Sequence, residues 1–139
     1  MELHLFIACF ILFLLSFGVA ARLFLRRVAD IKKGDTDPRY YKTYDIEAEI
    51  PRQTRLLDRH YLNLFESPIL FYAIIALILA MDLAHISLVV LAYVYVGVRL
   101  IHSYIHLTKN KVWPRAITFV SSFFVLLALW TNTLILVLF

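Results

Sequence analysis

Residues 63–81 read NLFESPILFYAIIALILAM, a run in which Glu66 is the one charged side chain and everything after Pro68 is apolar. A helix rises about 1.5 Å per residue, so roughly 20 such residues cross the hydrocarbon layer of a membrane. Three further runs are of the same kind: Leu3–Ala21 and Ala116–Phe139, both free of charge, and Ile86–Leu107, interrupted by Arg99 alone. None alternates polar with apolar residues, which argues against strands. Backbone groups in lipid must find partners within their own segment, so each run reads as a helix. The expected fold is an all-α integral membrane protein, a four-transmembrane-helix bundle. Its helices are predicted at about 3–27, 55–81, 86–108 and 114–138, with a cytoplasmic loop at about 28–54, all within a single domain, 1–139.

The composition agrees. Of 139 residues, 62% are apolar and 17% charged, where ordinary globular domains run near half and a quarter. Length excludes a two-domain soluble enzyme. Cys9 is the only cysteine, which excludes an intrachain disulfide and a thiolate zinc site and suits a small buried hydrophobe. Met1 and Glu2 precede the first run while Arg22, Arg26 and Arg27 follow it. That order is the reverse of a signal peptide's, and the run reads as a retained anchor.

The net charge is +4, and its distribution says more than its size. Ten basic residues lie between Arg22 and Arg59, and the other four are Arg99, Lys109, Lys111 and Arg115. The connection holding Asp82 and His85 has no Lys or Arg, and neither do the termini. Lys and Arg stay on the cytoplasmic side, so both basic connections are expected there and both termini on the other side.

Ionisable residues inside a membrane are costly, and each is a functional candidate. Arg55, Arg59, Asn63 and Glu66 fall at helical spacing at the start of the second helix, and Arg99, His102 and His106 at the end of the third. Arg115 follows Pro114 at the start of the fourth. All these groups sit at cytoplasmic helix ends, where a bundle gathers them into one polar pocket. Arginines suit carboxylates, Glu66 suits an amine, and helix N-termini favour anions. The expected guest is a small polyanion carrying an amine. The plainer readings are snorkelling anchors for Arg22, Arg26, Arg27, Lys109 and Lys111, and an internal ion pair of Glu66 with Arg59 or Arg99. His102 and His106 could ligate a metal with Glu66, but the surrounding arginines repel a cation, and no metal is expected. No Ser-His-Asp set, Walker loop or dinucleotide fingerprint is present.

The stretch Arg59-His60-Tyr61-Leu62-Asn63-Leu64-Phe65-Glu66-Ser67-Pro68 resembles the signature of the MAPEG superfamily, membrane proteins of eicosanoid and glutathione metabolism. Val98-Arg99-Leu100-Ile101-His102-Ser103-Tyr104-Ile105-His106, with Arg115 nine residues on, is a second match. The form Asn63–Tyr72 is most similar to a bacterial branch, which implies a bacterial inner membrane. The resemblance implies a homotrimer binding glutathione as co-substrate between protomers near the cytoplasmic face. Arg27 (or Arg26), Arg59, Asn63, Glu66, Arg99, His102 and His106 would then hold the tripeptide, and Arg115 would stabilise its thiolate. The implied activity is that of a glutathione-dependent transferase or peroxidase, its thiolate attacking a lipophilic electrophile or peroxide that arrives from the bilayer. Membrane lipids and the lipophilic substrate are the other expected partners, and nucleic acid is not one. Three positions depart from the superfamily's pattern: His106 where several members have Tyr, Ser67 after the glutamate, and Pro68 one residue early. The alternative is a non-catalytic trimeric membrane protein holding phospholipid headgroups or another small anion in the arginine-rich pocket.

Overall fold

A computed structural model of the chain describes residues 1–43 and 50–139; the middle of the expected loop, 44–49, lies outside the described residues. The helices are α1 (Glu2–Lys33), α2 (Tyr40–Thr43), α3 (Arg52–Asn63), α4 (Ser67–Ala80), α5 (Ile86–Leu107) and α6 (Val112–Leu138). Among the described residues there is no strand. Four spans are long and apolar enough to cross a membrane: Glu2–Lys33, Arg52–Ala80, Ile86–Leu107 and Val112–Leu138.

The second span is not one helix, as the sequence suggested, but two. The chain leaves helical geometry between Asn63 and Ser67 and resumes it with Pro68 in the first turn of α4. Proline has no N–H to give to the carbonyl four residues back, and its ring crowds that carbonyl, so a helix cannot run through unaltered. The two halves differ in character. Thr54, Leu57 and His60 line a buried stripe on an otherwise polar α3, whereas α4 is apolar all round. Such a division suits a polar half near the membrane surface and an oily half within it.

Helix α1 also departs from expectation, continuing past residue 27 to Lys33. At about 1.5 Å per residue it is ~48 Å long, well beyond the hydrocarbon thickness of about 30 Å. Its end is a glycine cap. Gly34 takes a left-handed φ of 79°, its N–H donating to Ile31 O at 3.0 Å, while Asp35 N–H donates to Asp30 O at 2.9 Å. What keeps the extra turns helical is a tertiary tie. Asp30, fully buried, accepts the Thr54 hydroxyl from the first turn of α3 and pairs with Arg26 Nε at 3.0 Å. The same tie explains why α3 begins at Arg52, straight after Pro51, rather than at residue 55.

The apolar core lies in the other half of the bundle. Leu5, Ala8 and Leu12 of α1 meet Phe71, Ile74, Ile75 and Ile78 of α4, Leu88 to Val96 of α5, and Leu126 and Leu129 of α6. Helix α5 packs on α6, α1 and α3, and α4 on α1 and α6. Ser87 donates to Asn132 Oδ1 at 3.0 Å, fastening the start of α5 to the end of α6. Outside the core, Phe6, Phe10, Phe13, Phe17 and Phe24 of α1 are largely exposed. In water such a surface would be an aggregation liability; in a bilayer it is ordinary.

Candidate functional site

The break between α3 and α4 organises the polar end of the bundle. Asn63 is the last residue of α3, and its carbonyl accepts Arg99 Nη2 from α5 at 2.6 Å. A guanidinium at a helix C-terminus meets both an unpaired carbonyl and the negative end of the dipole. Arg99 is fully buried, while its Nε and Nη1 find no partner among the described residues. Just below the break, Ser67 and Tyr95 share a hydrogen bond at 2.8 Å, both fully buried, and the Tyr95 ring stacks on Phe71 at 4.5 Å.

One turn further along α5 three imidazoles gather. His60 of α3 shares a hydrogen bond with Ser103 Oγ through Nε2 at 2.8 Å and stacks on His106 at 4.5 Å between ring centroids. His102 lies 6.1 Å from His60 and 5.9 Å from His106, with its Nδ1 3.1 Å from the Thr118 hydroxyl and 3.2 Å from Arg115 O. Three further ring nitrogens, His60 Nδ1, His102 Nε2 and His106 Nδ1, are buried without a partner among the described residues. Together with Arg99 they form a polar interior with unused hydrogen-bonding capacity, which favours water or polar ligand atoms over apolar ones. Among the described residues no group of three or more His, Cys, Asp or Glu is arranged to hold a metal ion.

Above this interior is a cleft of about 230 Å³ lined by Arg59, Leu62, Asn63, Glu66, His106 and Arg115. Five of the residues singled out in the sequence therefore line one hollow, contributed by α3, the α3–α4 break, α5 and α6. Glu66 is exposed at its mouth and forms no ion pair with Arg59 or Arg99; the ion pairs among the described residues are Arg26–Asp30 and Arg27–Asp58. Arg115 donates from Nη1 to Asn110 Oδ1 at 2.7 Å. Asn110 is neutral and sits in a left-handed turn with a φ of 45°. It fixes the guanidinium while leaving its charge uncancelled.

The other selected residues lie elsewhere. Arg99 and His102 form the floor beneath the cleft without lining it. Arg27 is turned away within its own chain: it pairs with Asp58 of α3 at 2.5 Å and lies 4.9 Å from the centroid of the Tyr41 ring. Arg26 faces a second, larger groove. Arg55 donates to Ile50 O at 3.4 Å, outside the cleft. His60 carries no role among the residues singled out by sequence, because the stripe through Arg59 and Asn63 runs down a neighbouring face of α3. Its signal was its place on the buried face, at helical spacing from Thr54 and Leu57.

An all-helical bundle with four membrane-length apolar spans and a polar cleft at one end defines a multi-pass membrane protein. The MAPEG family model matches residues 3–135, nearly the whole chain, and the protein belongs to that family. No curated protein and no solved structure matches the chain significantly.

Proposed function

We propose that the protein is a glutathione-dependent membrane enzyme of transferase or peroxidase type, in which Arg115 stabilises the glutathione thiolate for attack on a lipophilic electrophile or peroxide. The observation that carries this reading is the single cleft joining Arg59, Asn63, Glu66, His106 and Arg115. Glutathione has two carboxylates, one amine and one thiol. Arg59 and Arg115 suit the anionic groups, unpaired Glu66 suits the amine, and Asn63 offers an amide for the peptide backbone. A free thiol has a pKa of about 8.5, and a fixed cation beside it raises the share present as nucleophilic thiolate. Arg115 lies in the first turn of α6, where the free N–H groups add to the same field.

At about 230 Å³ the cleft is smaller than the roughly 300–1,000 Å³ usual for small-molecule sites. A second wall is needed, and a neighbouring protomer of a homotrimer would supply it. Arg27, turned from the cleft within its own chain, would then reach the ligand only across a subunit boundary. In this reading both termini face away from the cytoplasm, as the charge distribution requires.

Two measurements test the proposal on purified protein in detergent. Reduced glutathione should raise the melting temperature, and so should a thiol-free analogue, since most contacts are to the peptide. Arg115→Ala should keep much of that stabilisation while conjugation or peroxide reduction at neutral pH falls by roughly tenfold or more. Undiminished turnover in Arg115→Ala would remove the mechanism. No thermal response to either peptide would remove glutathione itself.

A further inference from the structure

A second hollow, larger than the cleft just described, adjoins it. It is a groove of about 900 Å³ on the other side of His106, walled by α1, α3, the end of α5 and the connection to α6. Arg22, Arg26, Arg52 and Lys109 converge on it, and no Asp or Glu among the described residues lines it. Between the cations are the apolar side chains of Leu25, Leu56 and Leu107.

Basic residues at a membrane surface often serve as anchors that extend into water. Arg26 is built differently. Its Nε forms an ion pair at 3.0 Å with Asp30, a fully buried residue whose other carboxylate oxygen accepts the Thr54 hydroxyl, and the side chain is two-thirds covered, at 32% exposure. Asp30 itself is fully buried and does not line the groove, whereas Arg26 does. A phosphate would find a fixed guanidinium there, with Arg22, Arg52 and Lys109 around it. A free phosphate would use the cations and leave the leucines wet, whereas a lipid satisfies both.

The geometry points to a binding site for one anionic phospholipid, its phosphate held by Arg22, Arg26, Arg52 and Lys109 and its first acyl carbons lying on Leu25, Leu56 and Leu107. The site is separate from the proposed glutathione cleft and shares only the His106 wall with it. A lipid bound there bridges α1, α3 and the α5–α6 connection, and so fastens the end of the bundle on which both hollows open.

The test uses the full chain in a neutral detergent, stripped of lipid, with melting followed during titration of phosphatidylglycerol, phosphatidylcholine or inorganic phosphate. Phosphatidylglycerol should raise the melting temperature and phosphatidylcholine should not. The double variant Arg22→Gln/Arg52→Gln removes two exposed cations without disturbing Asp30, and should weaken the lipid response roughly thirtyfold. Its response to glutathione should stay as in the parent chain, which separates failure of this site from failure of the glutathione reading. Equal stabilisation by both lipids would overturn the proposal, as would an undiminished response in the double variant. Inorganic phosphate acting as well as the lipid would mean an ion site only. Absence of any response would mean that the groove is closed by another copy of the chain or by the chain itself.

Discussion

Asn110 shows how much of this site depends on one small side chain. Arg115 is long and flexible, and near the membrane surface it could swing to water; the 2.7 Å bond from its Nη1 to Asn110 Oδ1 keeps it over the cleft. The residue type answers two demands, because the turn needs a φ of 45°, which asparagine tolerates better than most. Asn110→Gly keeps the turn and releases the arginine. Given the proposed mechanism, kcat/KM should fall roughly three- to tenfold, the worth of one hydrogen bond, with little change in KM for glutathione. Steady-state kinetics and thiolate absorbance of the bound peptide would check it. A parallel rise in KM would instead make Asn110 a ligand-binding residue.

Among the elements, the paired half-helices α3 and α4 matter most. Pro68 breaks the span, the break frees the Asn63 carbonyl, and Arg99 takes it. The interruption also sets the angle at which Asn63 and Glu66 meet the cleft. Pro68→Ala restores an N–H and removes the ring that blocks a continuous helix. Stability should stay level or rise, while glutathione affinity by calorimetry should fall by roughly tenfold or more as the two side chains rotate away. Unchanged affinity would show that the break is held by Arg99 alone. Gly34 closes α1 in the left-handed region, and a Cβ there would meet no atom within 4 Å. Gly34→Ala should therefore cost only the backbone term, about 1–2 kcal/mol in unfolding experiments.

For the whole molecule the governing quantity is the distribution of charge. Fourteen Lys and Arg stand on two connections and their flanking helix ends. The structure brings those connections together, since Asp30 and Asp58 tie α1 to α3, and α3 packs on α5. The expected orientation puts this end in the cytoplasm. Cys9 is the only cysteine, so a Cys9→Ala background permits single-site labelling. An impermeant maleimide added to intact cells should label Glu2→Cys, whereas Asp35→Cys should react only after permeabilisation. The reverse pattern would invert the topology and put both hollows on the opposite face.

Hydropathy and charge were enough to find four membrane-length spans, because each run is decided by its own residues: twenty apolar side chains need no distant partner to prefer lipid. The motifs Arg59–Pro68 and Val98–His106 carried the resemblance to the family, and helical spacing was enough for the clustering of Arg59, Asn63, Glu66, His106 and Arg115, since it puts such residues on one face and alternating spans bring the faces to one end. The ends of α1 and α3 were not legible, because the bond from Thr54 to Asp30 joins positions far apart in the chain. Nor was the assignment of Arg27 to Asp58, the burial of His60 against His106, or the second groove. Each of these is a question of which neighbour a polar group meets. Periodicity names the face a residue occupies, but the packing of one helix on another chooses its partner.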